Sequence, residues 1–279
     1  MPQQPLVSVI IPTFNRDDFL KEAIESVLRQ TYPRVELIVI DDGSTDQTKK
    51  LVENYSGRLS YIYQVNKGVA AARNRGIAEA IGPLIAFLDS DDRFAPSKIA
   101  VQVEALLNNP SFFVSHTQEK WFRRGQFLNQ KKKHRKEAGD LFVRCLELCA
   151  VGMSTTMVRR ELFESVGLFD ETLPCCEDYD LWLRASVDHE FLLIDSPLTI
   201  KNGGRPDQLS MKYRVGMDAY RVQSILKLIK TAALDERRLL QARLELARKC
   251  AILDNGFRKH GKPEEADYYM KLAQDYGCA

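Results

Sequence analysis

The sequence predicts an α/β protein: a mostly parallel, doubly wound sheet flanked by helices, with a helical extension at the C-terminal end. Three observations predict it. Short apolar runs of strand length at residues 7–11, 36–40 and 84–88 alternate with stretches of helical periodicity. Each run stops at a polar cluster with turn chemistry. Beyond Gly203-Gly204 only helical spacing remains. The expected domains are therefore 1–204, divided at 115 into two halves (1–115 and 116–204), and a helical extension over 205–279.

The elements follow in order. Val7-Ser8-Val9-Ile10-Ile11 is a short buried strand ended by Pro12. Asp17 or Asp18 can cap a helix whose apolar face is Leu20, Ile24, Val27 and Leu28. The next strand, 36–40, ends in Asp41-Asp42-Gly43, and Ser44, Thr45 or Asp46 can cap the helix that carries Leu51, Val52 and Tyr55. Residues 59–63 alternate like a half-exposed strand. The stretch from Gly68 to Ala80 is alanine-rich and helix-prone, with Gly76 allowing close packing on the sheet. The run 84–88 comes next, then a helix starting near Pro96 with Ile99, Val103, Leu106 and Leu107 on one face.

Less regular patterns follow. Phe112-Phe113-Val114 reads as a strand, and from Glu119 to Lys136 regularity is lost. Residues 154–158 and 191–194 read as two more strands, the second ended by Asp195-Ser196-Pro197. In the extension, Ile225 to Ile229, then Leu239, Leu240 and Leu244 mark helices. Gly256 and Gly261-Lys262-Pro263 mark a turn, so the end resembles one tetratricopeptide-like hairpin, suited to packing on the sheet domain or to self-association.

Composition narrows the function. A chain of 279 residues with 44% hydrophobic and 28% charged residues is ordinary for a globular protein, and a net charge of +2 does not suggest a nucleic-acid binder. No apolar stretch approaches the roughly 20 residues of a transmembrane helix, and Met1-Pro2-Gln3-Gln4 lacks a signal pattern. The six cysteines form no Cys-x-x-Cys pair and suit reduced thiols in a cytoplasm. The basic run 131–136 reads as a solvated loop. Its alternative is contact with anionic lipid at the inner membrane face, worth about 1 kcal/mol per basic residue.

Chemistry concentrates at strand ends. The run 84–88 passes into Asp89-Ser90-Asp91-Asp92. In an extended chain Asp89 and Asp91 point one way and Ser90 the other. Two carboxylates held so close repel unless a cation joins them, and Mg²⁺ or Mn²⁺ prefers such oxygens while leaving positions for phosphate. Ligands of doubly wound sheets bind beyond the carboxyl ends of the strands. That rim collects Pro12-Thr13-Phe14-Asn15-Arg16, Asp41-Asp42-Gly43-Ser44 and Asp89-Ser90-Asp91. Asp42 suits the donor edge of a base or ribose hydroxyls, and Arg73 suits a diphosphate. Arg75 reads as a surface residue.

Four ordered motifs together resemble the family 2 inverting glycosyltransferases of GT-A fold. They are Val9-Ile10-Ile11-Pro12-Thr13-Phe14-Asn15-Arg16, Ile38-Val39-Ile40-Asp41-Asp42-Gly43-Ser44, Ala72-Arg73-Asn74-Arg75-Gly76 and Phe87-Leu88-Asp89-Ser90-Asp91-Asp92. The resemblance runs over about residues 5–200. It implies a nucleotide-diphosphate-sugar donor, uridine-linked, bound by the 1–115 half. The acceptor implied for the 116–204 half is a hydroxyl on a glycan, lipid-linked or protein molecule. By that resemblance Thr13 and Asp42 hold the nucleoside, Arg73 lies beside it, and Asp89 and Asp91 hold ribose and the divalent metal. Pro12, Asn15, Arg16, Asp41 and Ser90 complete the expected donor site. Glu177-Asp178, after Gly167-Leu168-Phe169-Asp170, resembles the family's base motif. Asp178 is then the general base and Glu177 its neighbour, with Asp180 structural and Trp182 in the core. Arg205 stands where some members have His, so it can contact phosphate but not ligate a metal. A sugar nucleotidyltransferase would need a Gly-rich basic loop after the first strand, which is lacking; a silent nucleotide-sugar-binding scaffold would not need both acid motifs.

Overall fold

The computed structural model describes residues 4–131, 134–205, 208–213 and 215–276. Lys132 and Lys133 of the basic run, Pro206 and Asp207, Cys278 and the first three residues lie outside that set. The described chain divides into two compact units: residues 1–140, 151–174 and 189–204 form one, and residues 141–150, 175–188 and 205–279 the other.

The first unit is built on one sheet. In chain order it contains β1 (Val7–Thr13), α1 (Asp17–Leu28), β2 (Val35–Asp41), α2 (Thr48–Glu53), β3 (Ser60–Tyr63), α3 (Val69–Glu79), β4 (Leu84–Phe87), β5 (Arg93–Phe94) and α4 (Lys98–Asn108). The second unit takes α5 (Phe142–Glu147), and in the first β6 (Val114–Arg123), β7 (Gln126–Leu128), β8 (Thr156–Arg159), α6 (Leu162–Val166) and β9 (Phe191–Gly203) complete the sheet and its cover. The strand order is β3-β2-β1-β4-β8-β6-β9-β5, with β7 hairpinned onto β6.

The parallel expectation describes β3, β2, β1 and β4, which pair parallel throughout. Beyond β4 the sheet is mixed: β8 runs antiparallel to both β4 and β6, whereas β6 and β9 are parallel. The apolar runs behave as buried strands should. Val7, Val9 and Ile11 join Leu37, Val39, Leu84 and Ala86 in one core with Leu20, Ile24 and Val27 of α1. Gly76 explains how α3 lies so close: a Cβ there would stand 2.4 Å from Ile10 Cγ2, a clash no side chain tolerates. Asp46, expected to cap α2, accepts from Thr48 N at 2.9 Å and also from Asp17 N at 3.3 Å, so one carboxylate serves two helix starts.

Three expectations need correction. The strand expected at 191–194 continues to Gly203, because a register shift opposite Thr117, Gln118 and Glu119 lets Asp195 and Ser196 bulge out and Pro197 re-enter the ladder. The stretch after Glu119 is not irregular; β6 runs to Arg123 and turns through Arg124-Gly125 into β7. Lys136 does not belong to a solvated basic run either. It is buried, with its ammonium 3.5 Å from Glu119 Oε1, while His134 packs against Trp121 at 5.1 Å. Only Lys131 and Arg135 of the described run are exposed, and Arg135 pairs with Asp195 at 3.5 Å.

The second unit is helical: α5, α7 (Glu177–Ala185), α8 (Leu209–Lys212), α9 (Met217–Thr231), α10 (Glu236–Lys259) and α11 (Pro263–Tyr276). Within it α9 packs on α7 and α10, and α10 on α5. The expected terminal hairpin is present as α10 and α11, with Phe257 and Tyr269 stacked at 5.6 Å. Lys249, buried on α10, donates to Glu147 O at 3.0 Å and pairs with Glu245 at 3.0 Å, which satisfies an ammonium that burial alone would disfavour.

Candidate functional site

Parallel pairing brings the C-terminal ends of β1, β2 and β4 to one rim. Thr13 lies opposite Asp41, Asp42 N donates to Thr13 O at 2.8 Å, and Leu88 N extends the β4 ladder to Ile10 O at 3.0 Å. Pro12 falls past the last β1–β4 pair, so its missing N–H costs that ladder nothing. Thr13 is buried and its hydroxyl has no hydrogen-bond partner. Asn15 adopts φ 51°, a left-handed conformation unusual for a side-chain-bearing residue. Its N–H donates to Ser44 Oγ at 2.9 Å and its Oδ1 accepts from Thr45 N at 2.8 Å. The loops after β1 and β2 are thereby stitched together, and Arg16 folds back on Asn15 O at 3.1 Å.

The two aspartates ending β2 are buried and already engaged. Asp41 accepts from Tyr61 OH at 2.6 Å and from Ser44 N at 2.8 Å. Asp42 accepts from Gln64 Nε2 at 2.7 Å, Lys67 N at 2.9 Å and Gly68 N at 2.8 Å. A carboxylate offers about four lone-pair positions, so Asp42 anchors the approach to α3 and keeps capacity for one further donor. Gly43, directly after them, has φ 89°, and a Cβ would stand 2.8 Å from Asn66 N. Only glycine fits that turn.

The acid turn after β4 is more finely divided than the sequence suggests. Asp92 N donates to Asp89 O at 2.9 Å, closing the turn. Arg73, buried on α3, donates to Asp89 Oδ1 at 2.8 Å with its guanidinium 5.5 Å from the Phe169 ring. Burial pushes the Asp89 carboxyl up, but Arg73 and then Lys201 outweigh it and hold it below the usual range. Asp92 is buried the other way: it accepts from Ser154 Oγ at 2.7 Å and Asn202 N at 3.2 Å, and burial drives its carboxyl well above the ordinary range. Ser90 is buried. Asp91 is half-buried, its carbonyl accepting from Asn202 Nδ2 at 3.1 Å. Arg75 is exposed and pairs with Glu79 at 2.7 Å, the surface role expected of it.

Asn74, the next residue after Arg73, locks the Gly167–Asp170 segment to α3. Its amide donates to Phe169 O at 2.9 Å and to Glu171 Oε1 at 2.8 Å, and its Oδ1 accepts from Phe169 N at 3.0 Å.

In the helical unit, α7 opens with the second acid cluster. Cys176 precedes it at φ 65°, a strained conformation of the kind found beside functional groups. Glu177 is buried. Asp178 is half-buried, with Cys149 Sγ donating to Oδ2 at 3.1 Å and Tyr179 N donating to Oδ1 at 2.7 Å. Asp180 pairs with Arg184 at 2.8 Å and Lys227 at 3.8 Å, and Trp182 is fully buried, as a structural acid and a core indole should be. The Arg205 N–H donates to Gln208 Oε1 at 3.4 Å.

Four participants escape sequence reasoning. Ser154 donates to Asp92 and accepts from Asp89 N at 3.1 Å, bridging both ends of the turn. Asn202 holds its middle. Glu119 is buried, accepting from Trp121 Nε1 at 2.8 Å. Lys201 brings a cation into the acids: burial pulls its ammonium down, yet Glu119, Asp92, Asp89 and Asp91 together hold it above the usual lysine range. The signal that could have found Lys201 is strand alternation, since it shares a face of β9 with buried Thr199.

Among the described residues no three acid, histidine or cysteine side chains stand close enough to hold a metal by themselves. Of the two expected ligands, Asp89 is engaged by Arg73 at 2.8 Å, and Asp91 offers the carboxylate chemistry that a hard divalent ion shared with a diphosphate would take.

Comparison with known proteins identifies the family and the fold. The model of glycosyl transferase family 2 matches residues 8–167. An uncharacterised glycosyltransferase of Rickettsia felis is 38% identical over 222 residues, which is 76% of this chain and 36% of that protein. The Escherichia coli UDP-Glc:alpha-D-GlcNAc-diphosphoundecaprenol beta-1,3-glucosyltransferase WfgD is 33% identical over 195 residues, 68% of this chain and 73% of that one. The chain thus spans about a third of the length of the first of these relatives. Among solved structures, Staphylococcus aureus TarS 1-349 in complex with UDP-GlcNAc superposes with a TM-score of 0.76 at 23% identity, covering 97% of this chain and 80% of that one. Mannosyltransferase PcManGT from Pyrobaculum calidifontis, in complex with GDP-Man and Mn2+, gives 0.67 at 18% identity over 100% and 77% of the two chains. Fold, rim and family match converge: the chain belongs to glycosyltransferase family 2 and has the GT-A fold.

Proposed function

We propose that the chain transfers a sugar from a uridine-diphosphate sugar to a hydroxyl of a cell-surface glycan or its lipid-linked precursor, with inversion at the anomeric carbon. One observation carries this reading: three parallel strand ends, β1, β2 and β4, bring Thr13, Asp42, Arg73 and Asp89 to one rim with Asp91 at its half-buried edge. The names of WfgD and TarS's bound UDP-GlcNAc support a uridine donor and a glycan acceptor.

In this reading Thr13 and Asp42 hold the nucleoside, with Pro12, Asn15, Arg16 and Asp41 shaping the loop that receives it. Arg73 orients Asp89 toward the ribose. Asp91, with the diphosphate, would hold Mn²⁺ or Mg²⁺. That ion would neutralise the charge developing on the leaving diphosphate. Asp178 takes the acceptor hydroxyl's proton as its oxygen attacks the sugar, and Glu177 supports Asp178 as its buried neighbour. The thiol and amide that donate to Asp178 hold its carboxylate in one orientation, which is what a base needs before pKa matters. Arg205 supplies a positive charge for phosphate. A single displacement needs no protein nucleophile.

The test is release of free nucleoside diphosphate from UDP-, GDP- and dTDP-sugars with Mn²⁺, preceded by a thermal-shift screen of the same donors. Donor-dependent stabilisation followed by release supports transfer. Stabilisation without release under any acceptor supports a nucleotide-sugar-binding scaffold, and no shift with any donor overturns both.

A further inference from the structure

The acid turn is fastened to β9 at two points. The Asn202 N–H donates to Asp92 Oδ1 at 3.2 Å, and its side-chain amide donates to Asp91 O at 3.1 Å. Lys201, one residue earlier, is therefore fixed beside the turn. Its ammonium lies 3.4 Å from the point a Cβ on Gly152 would occupy, and Glu119 Oε2 lies 3.3 Å from that same point. This Glu119 oxygen is buried and has no hydrogen-bond donor. Space at Gly152 is thus kept for two opposite charges, which a side chain would push apart.

The charges can be matched group by group. Arg73 is spoken for by Asp89 at 2.8 Å, and Lys136 by Glu119 at 3.5 Å. Lys201 is attracted first by Glu119 and then by the acids of the turn, Asp92, Asp89 and Asp91. With the acids already compensated, the site has little net negative charge to hold a divalent ion alone. A bound diphosphate adds two to three negative charges beside the same ammonium. Either partner then makes room for the other.

We propose that Lys201 is the donor site's built-in counter-ion. It holds the acid turn in shape without metal and disfavours a divalent ion there until a diphosphate arrives, so that ion and nucleotide bind as a pair. It is a positioning residue, and the inference rests on the nucleotide-diphosphate-sugar reading of this rim.

The experiment titrates Mn²⁺ into the full chain by electron paramagnetic resonance, first alone and then with UDP, for the parent, K201M, K201Q and K201R. Circular dichroism confirms folding; K201Q serves if K201M does not fold. The parent should bind Mn²⁺ weakly alone and at least tenfold more tightly with UDP. Removing one unit charge beside the turn is expected to tighten Mn²⁺ binding without nucleotide roughly tenfold, and to shrink the gain from UDP by a similar factor. K201R should follow the parent. Equal Mn²⁺ affinity in parent and neutral variants, with UDP binding intact, overturns the inference alone. If neither UDP nor Mn²⁺ binds any of the four proteins, the donor-site reading falls with it.

Discussion

The two acid clusters, Asp89–Asp92 after β4 and Glu177–Asp180 at the start of α7, look alike in sequence and are built differently. In both, cations clamp one carboxylate: Arg73 on half-buried Asp89, and Arg184 with Lys227 on buried Asp180. In both, a second carboxylate is half-buried, Asp91 in the turn and Asp178 on the helix. The difference is what surrounds that group. Asp91 has an ammonium, Lys201, among its neighbours and a backbone held by Asn202. Asp178 has a thiol and a backbone N–H as donors, at a helix start whose dipole favours negative charge. The first environment suits a charge exchange with an ion and a diphosphate; the second suits a lone proton acceptor. Spacing of acids in a sequence does not distinguish these, but their partners do.

The sharpest way to break that comparison is to neutralise each half-buried acid. Asp178→Asn should lower kcat by about a hundredfold to ten-thousandfold, the range for losing a general base, while donor affinity by calorimetry changes less than about twofold. Asp91→Ala should abolish Mn²⁺-dependent tightening of donor binding along with transfer. If Asp178→Asn transfers sugar at the parent rate, the base lies elsewhere and the helix cluster is structural.

A smaller effect separates clamp from function. Arg73→Met leaves Asp89 without its cation, and stripping one partner from a buried pair typically costs about 3–5 kcal/mol. Asp89 is partly exposed, so the lower end is expected, about 3 kcal/mol in urea unfolding, together with weaker donor binding. Asp180→Asn should also lose stability, by about 1–3 kcal/mol, but with KM for the donor unchanged. Equal effects of the two on donor KM would erase the distinction between the clusters.

Cys149→Ala tests the thiol. The thiol donates to Asp178 Oδ2 at 3.1 Å and so helps to orient that carboxylate. Losing the donor should lower kcat about fivefold, the worth of roughly 1 kcal/mol for one hydrogen bond, with donor KM unchanged, and Cys149→Ser, which keeps a donor, should restore the rate. An unchanged kcat in the alanine variant would mean that the thiol does not act on the reacting group.

How far this was legible in the sequence depends on which interaction sets each element. Apolar continuity alone places β1, β2 and β4, because a strand covered on both faces must be apolar at every position: 84–87 are all buried. Close approach predicts Gly76, and topology brings Thr13, Asp42 and Asp89 to one rim. What periodicity cannot carry is the compensation of charges far apart in the chain. Lys136 looks like one of six basic residues in a row, yet it is buried because Glu119, 17 positions earlier, awaits it on β6. Lys201 hides in a strand whose pattern is broken by the Asp195-Ser196 bulge. Ser154 looks like strand and works as a bridge. None of the three shows its partner in the local sequence.

Strand β6 offers the finest test, because it carries a buried neutral group three positions from a buried charged one. His116 is fully buried between strands, its Nε2 donating to Glu137 O at 2.9 Å. Burial, with Lys136 adding to it, pushes the imidazole down to about 3, whereas Glu119, on the same strand, is held below its usual range by Lys201 and Lys136 despite burial. Above about pH 6.5 His116 is neutral in both the folded and the unfolded chain, so it contributes no pH dependence. Between about 6.5 and 3 the unfolded chain binds a proton that the folded chain refuses, so stability falls as pH drops through that window, at up to about 1.4 kcal/mol per pH unit. Depression of the Glu119 carboxyl adds its own loss lower down, as pH falls through the carboxylate range. His116→Gln should therefore lose about 1 kcal/mol at pH 8 from imperfect packing, yet show a flatter decline between pH 6 and 4 in urea unfolding. Parallel curves for parent and variant would mean the imidazole is charged in the fold, and that β6 tolerates two cations, Lys136 and His116, beside a single buried glutamate.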